Sequence, residues 1–273
     1  SPAAASGIEI NSWIYIDQSG KITLINHRAE MGQGSYQAVP SMLAEELEVN
    51  LTDINVIFAQ GDSARYGSQV TGGSSTVRSS YKKLMKLGAS AREMLIEAAA
   101  NKWKVSKAEC YAENGQVIHK PTARKINYGE LVEDASELTP PADVELKNIK
   151  DYKIIRKPMP RLDTPLKTNG KAIFGIDKTL PGMMYATVER APKFIGKVKS
   201  FDDTAAKAVT GVKHVFKVSR DVFSTRCEGV AVVADNYWSA MQGRKVLKIE
   251  WDDTGFKHFD SETLYSKMRE QLK

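Results

Sequence analysis

Apolar residues change their period several times along this chain, and each change marks an element. Around the turn Asp17-Gln18-Ser19-Gly20, residues 13–16 and 21–26 read as the two arms of a β-hairpin. Val39, Met42, Leu43 and Leu47 then recur at helical spacing, which predicts a helix over 40–48 with Glu45, Glu46 and Glu48 on its polar side. Residues 54–58 are β-rich. After a polar stretch at 69–80, Leu84, Leu87, Ala91, Leu95 and Ala98 fall on one side of a long helix predicted over 79–102. A second hairpin is predicted where Asn114-Gly115 separates 110–113 from 116–119, because Asn-Gly suits the left-handed positions of a tight hairpin turn. Asn127 with Glu130 has the spacing of a capping box, opening a helix to Glu137.

From 138 to 166 the periodicity lapses. Pro140, Pro141, Pro158, Pro160 and Pro165 punctuate this stretch, which predicts an extended surface linker. A second module follows. Strands are expected at 184–189, 212–218, 229–234 and 246–251, and helices at 202–208 and 238–245. The 229–234 run is almost wholly apolar, as a strand covered on both faces would be. Beyond Gly255 the tail is polar, with helical character from 261 on. The expected class is therefore α+β, with segments at 8–137, 138–166, 167–254 and 255–273.

Composition narrows the function classes. At 42% hydrophobic and 26% charged over 273 residues the chain is globular, with room for one large or two ordinary domains. Its net charge of +6 is scattered, and Lys82, Lys83 and Lys86 form the one short basic cluster, so no nucleic-acid-binding stripe is expected. No run is long enough for membrane insertion. Cys110 and Cys227 stand apart without CxxC spacing and are expected as two buried free thiols, with a disulfide as the alternative. His27, His119, His214 and His258 sit singly, so no protein-built metal site and no catalytic triad is expected. The opening Ser-Pro-Ala-Ala-Ala-Ser-Gly resembles the start of a processed protein.

The most suggestive chemistry is Met31-Gly32-Gln33-Gly34, between a strand-like and a helix-like run. Two glycines expose backbone N–H groups that a Cβ would shield, Gln33 can donate and accept, and the following helix N-terminus suits phosphate. A tight turn carrying a solvated Gln is the plain alternative. Gly73-Ser74-Ser75 is a second such loop before a helix, with an ordinary cap and turn as its alternative.

Several segments together resemble one family. These are Ala29-Glu30-Met31-Gly32-Gln33-Gly34, Leu43-Ala44-Glu45-Glu46-Leu47, Thr71-Gly72-Gly73-Ser74-Ser75, the stretch from Gly88 to Leu95, Arg161-Leu162-Asp163, the stretch from Gly170 to Asp177, and Leu180-Pro181-Gly182-Met183-Met184-Tyr185-Ala186. They look like the molybdenum-binding large subunit of the xanthine dehydrogenase/aldehyde oxidase family, in the branch of isoquinoline 1-oxidoreductase beta subunits and periplasmic aldehyde dehydrogenases. The resemblance implies the first part of a molybdopterin-cofactor-binding domain over 8–137 and a small α/β hammerhead domain over 167–254. It implies a molybdopterin dinucleotide whose dithiolene holds the metal, with Met31, Gly32, Gln33 and Gly34 along the pterin and Gly73, Ser74 and Ser75 on the phosphates. It implies hydroxylation of aldehydes or N-heterocycles with water as oxygen source, an iron–sulfur small subunit as partner, and a periplasmic location. Family chains are longer and carry their glutamate base near the C-terminus, so the chain is expected to be an N-terminal portion completed by the remainder of a large subunit. No catalytic residue, no stably bound cofactor and no activity are expected of it alone. A free-standing, non-catalytic module that docks on a molybdoenzyme subunit is the competing expectation.

Overall fold

The computed structural model describes residues 6–193, 195–254 and 260–272. The chain divides into two compact units, Ser1–Ala172 and Ile173–Lys273. His258 and the start of the expected tail lie outside the described residues.

In the first unit, Ile8–Asn11 (β1), Ile14–Ile16 (β2) and Ile22–Asn26 (β3) run antiparallel in sequence order. Helix Ser35–Leu47 (α1) then carries the chain over to Ile54–Phe58 (β4), which lies parallel to β3 with Ile22 opposite Ile54 and Asn26 opposite Phe58. A parallel neighbour cannot be reached by a tight turn, so the crossover leaves the chain between β3 and α1 at the carboxyl end of a strand. That is where open α/β sheets leave room for ligands. A short helix, Ser63–Tyr66 (α2), precedes the long Ser75–Trp103 (α3). Cys110–Glu113 (β5), Gln116–His119 (β6) and Lys125–Asn127 (β7) form a second sheet, and Asn114 and Gly115 turn its first hairpin at φ +49° and +73°. Asn127 and Glu130 make the expected capping box, ahead of helix Val132–Ser136 (α4).

Helices α1 and α3 cover the first sheet. Leu43, Leu47, Leu84 and Leu95 join Ile14, Ile16, Leu24 and Ile25 in the core with no exposed surface. Gly88 permits the close approach of the two helices, since a Cβ there would sit 2.6 Å from the Leu43 carbonyl oxygen.

Two expectations change here. The unit boundary falls at 172/173, beyond the proline-rich stretch. That stretch belongs to the first unit, with Tyr152 and Ile154 buried in its core. It is held by Glu45 and Glu46, which face inward rather than toward solvent, both without exposed side-chain surface. The Glu45 carboxylate accepts the Lys147 ammonium at 2.6 Å and the N–H groups of Lys153, Ile154 and Ile155 at 3.0, 2.7 and 2.9 Å. Glu46 accepts Lys147 N–H at 3.1 Å and the Arg92 guanidinium at 2.8 Å. Prolines supply no N–H, so the segment has few ladder donors, and these carboxylates satisfy the ones it turns inward. Helix Thr164–Thr168 (α5) ends it.

The second unit contains Tyr185–Arg190 (β8), Lys197–Asp202 (β9), Thr204–Lys207 (α6), Val212–Val222 (β10), Thr225–Ala234 (β11), Tyr237–Val246 (α7), Lys248–Asp252 (β12) and Ser261–Gln271 (α8). Strand β11 is central between β10 and β8, which explains the continuous apolar run at its end. Strand β9 pairs with β12 and is the element that its alternating lysines conceal in the sequence. A Cβ on Gly243 would meet Val212 and Val232 at 2.9 Å, so this glycine lets α7 lie directly on the sheet. Among the described residues no helix is long and apolar enough to cross a membrane.

Candidate functional site

The two glycine loops, forty residues apart in sequence, line one cleft. Its wall includes Met31, Gln33 and Gly34 from the first loop and Gly72, Ser74 and Ser75 from the second. Gly73 lies within the second loop. Gly32 and Gly34 hold φ at +106° and +94°, a region other residues rarely adopt, and nothing lies within 4 Å of where a Cβ would point. Gly73, at φ +57°, is equally open. All three glycines thus present bare backbone to free space.

The partners of the first loop define its shape. Glu30 turns its carboxylate back under the loop, with its side chain 8% exposed. It accepts Gly32 N–H at 2.7 Å, Gly34 N–H at 3.2 Å and Tyr36 N–H at 2.8 Å. Burial pushes this carboxyl up, but the three N–H groups and Lys167 outweigh it and leave it below its ordinary value. Arg161 clamps the same loop from far along the chain, donating to the Gly32 carbonyl at 3.1 Å and to Glu30 at 3.2 Å. Asp163 orients that guanidinium through two bonds at 3.0 and 2.8 Å, and the Arg161 bond lowers the Asp163 carboxyl to about 2. Gln33 differs from the expectation of a free amide. Its Oε1 accepts Met31 N–H at 2.6 Å and its Nε2 donates to the Ala29 carbonyl at 2.8 Å. One amide hydrogen and one oxygen lone pair remain for a ligand.

A second set of bonds ties the loops together. The Ala29 carbonyl accepts from Gln33, from Ser35 Oγ at 2.9 Å and from Thr71 Oγ1 at 3.3 Å. Arg28 is buried beneath, and its guanidinium donates to the Val70 carbonyl, to Ser79 Oγ at 3.2 Å and, through Nε, to His27 Nε2 at 3.1 Å. That last bond leaves Nε2 as the acceptor, so the His27 proton sits on Nδ1. Burial, with Arg28 and Lys83 nearby, pushes His27 down to about 4, so the ring stays neutral at neutral pH.

The second loop ends differently from the first. Helix α3 begins at Ser75, four residues earlier than its apolar period suggests, because Ser75, Thr76 and Arg78 are polar and carry no stripe. Its N-cap Ser74 sits at φ +55° and gives no side-chain cap. Ser75 N–H and Oγ both donate to the Gly72 carbonyl, at 3.2 and 2.8 Å, so the N–H groups after Ser75 in the first turn of this 29-residue helix open on the cleft without an internal anion. The α1 N-terminus already holds one, the Glu30 carboxylate. Sequence reading missed Arg28, Thr71 and the Glu30 bracket, whose roles depend on partners that no local pattern displays. Arg161-Leu162-Asp163 stood out only as part of a resemblance.

Residues 3–177 match the family described as the molybdopterin cofactor-binding domain. Three relatives extend over most of the chain. It is 29% identical over 92% of its length to the beta subunit of isoquinoline 1-oxidoreductase from Brevundimonas diminuta. It is 30% identical over 95% to a membrane-bound aldehyde dehydrogenase [pyrroloquinoline-quinone] of Gluconacetobacter polyoxogenes. To a nicotinate dehydrogenase subunit of Pseudomonas putida it is 28% identical over 89%. The chain spans 36%, 34% and 20% of the lengths of these relatives.

Proposed function

Because the chain belongs to the molybdopterin cofactor-binding domain family, we propose that it forms one wall of the cofactor pocket of a molybdenum hydroxylase that oxidises aldehydes or N-heterocycles. The observation that carries this reading is the convergence of the two bare-glycine loops on one cleft. The residues fit the group. Gly32 and Gly34 offer a flat backbone surface for the pterin, with the remaining amide capacity of Gln33 at its edge. Gly73, Ser74 and the first turn of α3 offer N–H donors for the dinucleotide phosphates, beside Ser75, whose own N–H donates to the Gly72 carbonyl at 3.2 Å. When bound, the cofactor supplies two-electron oxidation with water as the oxygen source.

This chain's own part is to bind and orient. Its buried carboxylates among the described residues are committed: Glu30 to the loop, Glu45 and Glu46 to the proline-rich strap, and Asp163 to Arg161 and Lys167. The general base belongs, by the family resemblance, to the remainder of a large subunit rather than to any carboxylate here. The remaining pocket walls and an iron–sulfur partner belong to the same proposal, supported by the relatives whose names mark them as subunits. A periplasmic location completes it and rests on the family resemblance alone.

A single charge at α3 tests the phosphate half. Ser75→Asp places a carboxylate in the first turn, which favours the helix by roughly 0.3–1 kcal/mol but repels phosphate. The expected outcome is an unchanged or raised melting temperature with at least a fivefold loss of bound cofactor in the complete protein, read as molybdenum per chain. Full molybdenum content would remove the phosphates from this loop.

A further inference from the structure

We propose that Glu30 is a specificity-determining residue: its carboxylate stands in for an external anion at the start of α1 and so directs a phosphate-bearing ligand to the start of α3. This rests on the cofactor-pocket reading but concerns a residue that the reading does not use. The two helix starts face the same region of the first unit, and both follow positive-φ residues, Gly34 and Ser74. They differ in one respect. At α1, Glu30 spends both oxygens on Gly32, Gly34 and Tyr36 N–H. Ser35 Oγ adds a bond at 3.4 Å, and Arg161 and Lys167 stand behind the carboxylate at 3.2 and 3.8 Å. That is the donor set of an anion site, filled from within. At α3 no side chain caps the helix. A ligand with a neutral ring system at one end and phosphates at the other is therefore received in a single sense, its ring end toward loop 31–34.

If Glu30 serves only as a structural cap, removing it gains nothing. If it excludes anions, removal creates a site, because the three N–H groups, Arg161 and Lys167 remain. The test uses this chain and inorganic pyrophosphate, followed through backbone amide signals by NMR. In wild-type protein, pyrophosphate should shift the amides of residues 74–77 and leave Gly32, Gly34 and Tyr36 in place. In Glu30→Ala it should also shift those three, with binding there roughly tenfold tighter than in wild type, the scale set by a favourable charge at a helix end. Glu30→Gln keeps the size and should give a smaller gain if the alanine variant folds poorly. A wild-type arm needs no variant. Acidification that protonates Glu30, which begins below the ordinary carboxylate range, should move the Gly32, Gly34 and Tyr36 signals together, and signals that move separately would overturn the proposal. So would folded variants whose α1 amides ignore pyrophosphate, or wild-type α1 amides that already respond to it. Silence at 74–77 beside a gain at α1 would sink the phosphate assignment at α3 and with it the directing role of Glu30, leaving only its exclusion of anions at α1.

Discussion

Replacing Glu45 by Ala should destabilise the first unit by about 3–5 kcal/mol, because three N–H groups lose their acceptor at about 1–3 kcal/mol each. With no exposed side-chain surface, the carboxylate holds the Lys147 ammonium and three consecutive N–H groups at 153–155. Alanine leaves the three N–H groups without their acceptor, while Lys147 keeps Glu48 at 2.6 Å and the Glu45 carbonyl at 3.1 Å, and unsatisfied buried groups are the costly outcome. For a unit of this size the melting temperature should fall by roughly 10 °C. Glu45→Gln should cost less, since one oxygen still accepts and Lys147 keeps Glu48 as its counter-charge at 2.6 Å. Burial raises this carboxyl, yet Lys147 and the three N–H groups prevail and hold it below its ordinary value of 4.5. Its contribution is therefore complete above about pH 4.5 and lost as the pH falls through the lower folded value. Thermal melts of wild type and Glu45→Ala across that range check this. The difference between them should shrink on acidification, and two curves that stay parallel, or an alanine variant melting within about 2 °C of wild type, would mean that the strap is held by other contacts.

The second large effect concerns the cofactor loop. Gly34→Val should lower cofactor content in the complete protein by well over tenfold. Nothing within 4 Å obstructs a Cβ at Gly34, so no clash with protein follows. The harm comes from forcing φ +94° on a branched residue and from filling the space that the ring system needs. Gln33→Ala should lose roughly tenfold, from about 1–3 kcal/mol for the broken hydrogen bonds. Because the Gln33 amide also braces the Met31 N–H and the Ala29 carbonyl, part of that loss runs through the shape of the loop. Gln18→Ala is the control: its exposed amide meets only Glu133 at 2.7 Å, and cofactor content should not change. Molybdenum per chain, with melting temperatures measured alongside, separates loss of binding from loss of fold. Wild-type content in both loop variants would reduce Met31-Gly32-Gln33-Gly34 to a turn.

Sequence and structure part company along the same line. Whatever repeats locally was legible: β3, the glycine loop and β4 in order, the stripe on α3, the Asn114-Gly115 hairpin. What depends on distant partners was not. Periodicity assigns Glu45 and Glu46 to the polar side of α1 because a carboxylate reads the same whether solvated or buried, and only the N–H groups at 147 and 153–155 reveal the difference. The proline-rich strap reads as a linker for the same reason. Its prolines mark the absence of regular structure, while the anchors that pin it lie about a hundred residues earlier. The candidate site was visible as two loops, and their meeting only through the family resemblance, since Arg28 and the Ala29 carbonyl join them through bonds to Val70, Thr71 and Ser79 that no local pattern displays.

The most direct test of the central claim is a crystal structure of the complete, cofactor-loaded protein, with the molybdenum located by anomalous scattering. The account predicts the pterin against Gly32 and Gly34 and the dinucleotide phosphates on the N–H groups that open α3 beside Gly73, Ser74 and Ser75. Cofactor density elsewhere, with this cleft closed by polypeptide, would contradict it.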